Sequence, residues 1–277
     1  MIKSNEALLE IGFNKLEADV YVHLLTHPPA TAYKIGKQMN KPTANVYKAI
    51  ESLAAKGAVI VEDNKNKLCK AVIPDEFFSH YEKSILEKSN AAKEMLNSLE
   101  IEEDEEKSYS ITSVPLVFER FRSMMNKCKA IAVVDAFPKT ISKVADCIEE
   151  AAKRGVTVYV EAYQPIKLEG AKTVCATIGE EALNLWQSQQ LNLVIDGEEH
   201  LIALMDNNLT KVKQAVWSNS TYISCILHAG MMREQTVLEI MKETDNPDFE
   251  NVTKQILNNQ KFFFNSDIPG FYKLQKM

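Results

Sequence analysis

Residues 16–64, LEADVYVHLLTHPPATAYKIGKQMNKPTANVYKAIESLAAKGAVIVEDN, decide the fold of the first part of the chain. Leu16, Val20, Leu24 and Leu25 recur on one helical face, with Ala18 and Tyr21 beside them, until His27-Pro28-Pro29 stops the helix. A second, short helix follows: Thr31 caps it, Ala32, Ile35 and Met39 form its inner stripe, and Asn40-Lys41-Pro42 breaks it. A third helix accepts Pro42 in its first turn, turns Val46, Ile50 and Leu53 inward, and ends at Lys56-Gly57. Residues 58–61 and 68–73 then read as two short strands around the polar hairpin tip 62–67. Three short helices and a hairpin are the order of a winged helix-turn-helix.

The match extends to particular residues. LEAxVYxxLL is formed by Leu16, Glu17, Ala18, Val20, Tyr21, Leu24 and Leu25, PATAYxI by Pro29 to Ile35, and VYxxIxxLxxKG by Val46, Tyr47, Ile50, Leu53, Lys56 and Gly57. On these marks the segment closely resembles the amino-terminal domain of the TrmB family of prokaryotic transcriptional regulators. The resemblance implies a partner, double-stranded DNA, and a recognition helix that enters the major groove. The positions facing away from the core stripe include Thr43, Ala44, Asn45 and Lys48. Asn45 suits a bidentate contact to adenine, Thr43 a base or phosphate, and Lys41 and Lys48 the phosphates, with Lys65 and Lys67 on the wing. Tyr47 is expected to pack, as its family counterpart does, with its hydroxyl reaching a phosphate as the alternative. Where family members often carry arginines this chain has Thr43 and Asn45, so guanine reading is disfavoured and an A·T-rich operator is expected.

Beyond Pro74 one long helix is expected. Phe78, Tyr81, Ile85, Lys88, Ala92, Met95 and Leu99 recur at alternating steps of three and four, a coiled-coil stripe that makes Phe78, Tyr81, Ile85, Ala92, Met95 and Leu99 candidate homodimer contacts. An ordinary helix packed on its own chain is the alternative. The acidic run 102–106 reads as a solvated linker or a frayed helix end. Strand-like runs at 131–134, 156–160, 193–195, 201–205 and 214–217 then alternate with helical stretches at 116–127, 141–153 and 223–242, which indicates a sheet covered by helices. The stretch from Phe118 to Tyr163 looks like the start of the family's effector domain, whose core is similar to the phospholipase D fold. The expected fold class is thus a two-domain α+β and α/β chain: a winged helix-turn-helix over 1–74, a long dimerisation helix and linker over 75–108, an α/β effector-binding domain over 109–245, resembling a catalytically dead phospholipase D fold, and a helix and tail over 246–277.

Catalysis by phospholipase D chemistry needs HxKxxxxD. Two residues after His23, His27, His80, His200 and His228 stand Leu25, Pro29, Glu82, Ile202 and Gly230, so neither nucleophile nor phosphate clamp assembles. No catalytic residue, metal ligand or cofactor motif is singled out. Asp135 and Glu161, near strand ends, are weak candidates for effector contact, with capping as the equal alternative. His200 is a third, although a water-facing hairpin histidine is the plainer expectation. The effector implied by the resemblance is a small molecule, sugars included. Two other functions compete: a degenerate phosphodiesterase or nuclease using unrecognised residues, and an interaction module that has lost DNA binding.

Composition sets the frame for these expectations. The chain has 277 residues, 45% hydrophobic and 25% charged, values that disfavour disorder, collagen and a membrane protein and fit two domains. Residues 1–73 carry ten lysines and seven acids, a net +3, while the rest is −9. A basic head on an acidic body meets a polyanion with one end only. Five scattered cysteines without a CxxC pair read as reduced thiols, and Met1 to Glu6 lack the apolar core of a signal peptide, so a cytoplasmic protein with no membrane partner is expected.

Overall fold

A computed structural model of the protein describes residues 4–63, 67–99, 105–259 and 267–276. They form two compact units, 1–101 and 102–277.

The first unit opens with helix α1, Ser4–Glu10. Helix α2, Lys15–Thr26, starts at a capping box: the Asn14 side chain accepts from the Leu16 and Glu17 backbone N–H groups, and Glu17 accepts from the Asn14 N–H at 2.9 Å. Ala18, Val20, Tyr21 and Leu24 are buried as the periodicity demands, but Leu25 is exposed and Glu17 takes a buried place. Helix α3, Ala32–Gln38, is capped by Thr31, whose hydroxyl accepts from the Lys34 N–H at 3.3 Å. The chain then turns through Asn40 at φ 52°. A Cβ at Gly36 would stand 3.2 Å from the Lys41 carbonyl oxygen, so the missing side chain lets this turn close tightly.

Helix α4, Thr43–Ala55, buries Val46, Ala49, Ile50 and Leu53 and ends at Gly57, φ 78°. Strands β1, Val59–Val61, and β2, Cys69–Ala71, pair antiparallel as the wing. Helix α5, Pro74–Asn97, is the expected long helix. Its first turns belong to the head: Phe77 is fully buried, and Phe78 and Tyr81 are half-buried against the same core, where Phe13, Tyr21, Phe77 and Tyr81 form an aromatic cluster. Further along, Ile85, Leu86, Met95, Leu96 and Leu99 are exposed.

The second unit is a mixed sheet. In chain order its elements are β3 Ser108–Ser110, α6 Val114–Lys127, β4 Ile131–Ala136, α7 Pro138–Lys153, β5 Thr157–Ala162, β6 Lys172–Cys175, α8 Gly179–Leu185, β7 Gln189–Ile195, β8 Glu199–Met205, β9 Val212–Ser218, α9 Thr221–Lys242, α10 Phe249–Asn259 and α11 Pro269–Leu274. The strand order is β3-β9-β8-β7-β4-β5-β6, with β4, β5 and β6 parallel and the remaining pairs antiparallel. Strand alternation sends Ala132, Val134, Val158, Val160, Leu191 and Leu193 to a core shared with α6 and α7. Ile131, Val133 and Tyr159 face the other way, under Met232 of α9 and Ile268 beside α11.

Two parts of this unit depart from their expected roles. In the acidic run, residues 102–104 lie outside the described residues, but Glu106 is no mere linker residue. Its carboxylate accepts from the Thr221 N–H at 3.0 Å and the Ser220 hydroxyl at 3.2 Å at the start of α9, and the bond from the Thr221 N–H leads in holding its pKa below the usual range. The tail also has a place: α11 docks on the β7–β8 hairpin, where the Gly270 N–H donates to the Asp196 carbonyl at 2.8 Å.

Candidate functional site

In the head, the outward side of α4 carries the residues singled out for DNA. Lys41, Ala44, Asn45 and Lys48 are exposed and Thr43 is half-buried. Lys67 is exposed on the wing at φ 44°, and Lys65 lies outside the described residues. Pro42 precedes the helix and provides no side-chain cap, while its carbonyl accepts from the Asn45 and Val46 N–H groups, so the positive end of the helix dipole lies at Thr43. Among the described residues no carboxylate pairs with Lys34, Lys37, Lys41 or Lys48.

Tyr47 does not pack as expected. It is 53% exposed, because it lies about 100° around the helix from Val46 and outside the buried stripe. Tyr33 on α3 is 62% exposed. Neither tyrosine was singled out as outward-facing from the sequence, although helical phase gives both positions.

The second unit holds a polar layer between the sheet and α9. Asp135 and Glu161 are register partners on β4 and β5, so their side chains leave the same face of the sheet. Gln190 donates to Asp135 at 2.6 Å and Asn192 does so at 2.9 Å, both from β7. Gln190 also donates to the Tyr163 hydroxyl at 3.2 Å. Burial raises the pKa of Asp135, against the amide hydrogen bonds that favour its charged form. Glu161 is only 4% exposed, and burial, with the charges of Asp135 and Glu234, pushes its pKa up to about 8. Tyr163 is raised by burial and then by the same carboxyls.

His200 is neither water-facing nor joined to this pair by any described contact. It is 4% exposed on β8, its Nδ1 lies 2.9 Å from the Ser224 hydroxyl, and burial lowers its pKa. The hairpin turn itself is Asp196-Gly197, which leaves His200 inside the strand under α9. Tyr163, Gln190, Asn192, Glu234 and Gln235 were not anticipated. The alternation of Gln190 and Asn192 with Leu191 and Leu193 is the signal that marks one strand face as polar.

Three helices, a turn closed by Gly36 and a two-stranded wing make the first unit a winged helix-turn-helix. Residues 8–75 match the family described as "Sugar-specific transcriptional regulator TrmB", and the chain carries that family's amino-terminal domain. Over 269 residues the chain is 20% identical to the uncharacterized protein YrhO of Bacillus subtilis, covering 96% of this chain and 97% of that one. Among solved structures it is similar to TrmBL2, an archaeal chromatin protein, at 17% identity and TM-score 0.39, over 84% of this chain and 96% of the other. NucT from Helicobacter pylori is similar at 13% identity and TM-score 0.36, over 47% of this chain and 95% of NucT. Nuc from Salmonella typhimurium, a phospholipase D family member, is similar at 12% identity and TM-score 0.34, over 47% of this chain and 93% of Nuc. No helix among the described residues is long and apolar enough to cross a membrane.

Proposed function

We propose that the chain is a cytoplasmic, sequence-specific DNA-binding transcriptional regulator that works as a homodimer and answers to a small-molecule effector. The observation that carries this is the outer side of α4, where Lys41, Thr43, Ala44, Asn45 and Lys48 face away from the core and no described carboxylate neutralises the lysines. Such a helix fits the major groove, with its lysines on phosphates and Asn45 on base edges. Residues 1–74 serve as the DNA-binding domain, 75–108 as the dimerisation segment, 109–245 as the effector-binding domain, with 246–277 completing it. Ile85, Ala92, Met95 and Leu99 supply the dimer seam. The exposure of the three large apolar residues in a single chain supports it. The Asp135–Glu161 layer receives the effector, and the family description makes a sugar one candidate class.

A mobility-shift titration of the full chain against the DNA upstream of its own gene tests the proposal. Binding that weakens steeply with salt is expected. No shift at low salt contradicts it.

A further inference from the structure

The layer under α9 is built almost wholly from acids and amides. Asp135, Glu161 and Glu234 bring three carboxyls to one neighbourhood, and Gln190, Asn192 and Tyr163 complete it. Asp135 has amide donors on both oxygens. Glu161 has none: among the described residues it accepts no hydrogen bond, although it is buried.

A second group, not an acid, also lacks a partner among the described residues. Gln235 is 1% exposed, and neither its Nε2 nor its Oε1 makes a hydrogen bond to any of them. Its direction follows from helix geometry. Met232, three residues earlier, packs on Val133 and Tyr159, and Met231, four residues earlier, packs on the same cluster. Gln235 therefore lies on the sheet side of α9, one turn further along. Tyr159 precedes Glu161 by two residues on the same face of β5, and the adjacent Glu234 is close enough for its charge to act on both Asp135 and Glu161. The Gln235 carboxamide is thus aimed at the layer that holds Glu161. The Gln235 amide and the Glu161 carboxyl thus offer hydrogen-bonding groups that no described residue uses.

We propose that Asp135, Glu161 and Gln235 form a binding site for a small organic ammonium ion, whose N–H groups bridge the two carboxyls and reach the Gln235 carbonyl oxygen. This rests on the proposal that the second unit senses an effector, and it names the class of that effector. Charge selects the ligand: among the described residues, the groups acting on Glu161 are Asp135 on β4, Tyr163 after β5 and Glu234 on α9, none of them basic. The nearby lysine on β6, Lys172, is engaged elsewhere, donating to the Tyr159 hydroxyl at 2.9 Å. A bare metal ion lacks a donor set, since no three His, Cys, Asp or Glu side chains among the described residues are grouped to hold one. Aromatic faces adjoin the site, with Phe137 and Tyr163 at 4.5 Å between centroids, and suit an alkylammonium. At the margin of the layer Glu234 is exposed and Asp135 is only partly covered.

Glu161 holds its proton near neutral pH, so a bound cation drives that proton off. Titration calorimetry of the full chain at pH 7, with 1,4-diaminobutane and n-butylamine as probes and n-butanol as the uncharged isostere, reads this directly. Both amines are expected to bind with release of up to about one proton, measured from the heat in two buffers of different ionisation enthalpy, while butanol does not bind. Glu161→Gln and Gln235→Leu should each weaken amine binding at least tenfold, and Glu161→Gln should abolish the proton release. Their circular dichroism reports whether the fold is retained. Equal binding of butanol, or amine binding untouched by both variants in folded protein, overturns the proposal. If the amines fail but glucose or maltose binds and is lost in Asp135→Asn, the ammonium assignment is wrong while the effector site stands. If neither amine nor sugar binds, both fail.

Discussion

Glu17 and Lys56, 39 residues apart, form an ion pair that ties the start of α2 to the end of α4. The Glu17 side chain is 5% exposed and that of Lys56 24%, and the Lys56 ammonium also sits 4.7 Å from the Phe13 ring centroid. Both belong to the motifs that make the head recognisable. They hold the helix-turn-helix together and do not face the proposed DNA side.

Removing one partner leaves the other uncompensated. Lys56→Met is expected to destabilise the head by about 3 kcal/mol, the lower end for a broken buried pair because the lysine keeps some water. Chemical denaturation of the full chain, followed by far-UV circular dichroism, measures this. Loss of less than about 0.5 kcal/mol would show the pair to be incidental.

The same pair has a pH signature. Burial raises the Glu17 carboxyl, but hydrogen bonds from Lys56, Ser52 and the Asn14 N–H outweigh it and leave the pKa below its ordinary 4.5. A depressed folded pKa contributes stability that is complete above the ordinary value and lost as pH falls through the folded one. Wild-type head stability therefore declines below about pH 4.5, and Glu17→Gln is expected to flatten that decline.

Glu161 has the opposite sign. Its folded pKa, about 8, exceeds the ordinary 4.5, so the unfolded chain gives up this proton first and stability falls as pH rises between those values. Glu161→Gln is expected to raise the thermal midpoint more at pH 8 than at pH 5. Calorimetric scans at the two pH values check the difference.

Asp196 organises the turn into β4. Its carboxylate accepts from the N–H groups of Lys129, Ala130 and Ile131 at 2.8, 2.8 and 2.9 Å. Asp196→Ala strands these donors and is expected to cost on the order of 3 kcal/mol. Gly270→Ala acts nearby, since an added Cβ would fall 2.2 Å from the Gly197 carbonyl oxygen and must lift α11 from the hairpin. Faster proteolysis of the tail in Gly270→Ala would report it.

The head was legible in the sequence because its helices are short and punctuated: Thr31, Pro42 and Gly57 each mark an end that the structure keeps, while the Asn14 cap was not read. The central strands β4, β5, β7, β8 and β9 were legible as apolar runs, though each extends beyond its run at one or both ends. Edge strands β3 and β6 were not, since Ser108–Ser110 is fully exposed and Lys172–Cys175 mixes polar and apolar residues in four positions. Asp135 and Glu161 were visible as strand-end acids. Their meeting was not, because parallel register across a helical crossover leaves no local trace, and neither Gln235 nor the burial of His200 follows from a pattern in α9 or β8 alone.

Hydroxyl-radical footprinting of the full chain on its own upstream DNA tests the central claim most directly. The account predicts two protected half-sites about 10 base pairs apart, both lost in Lys41→Ala/Lys48→Ala, with relaxed sequence preference in Asn45→Ala. Full protection by the lysine double variant, or none by the wild type at low salt, would contradict it.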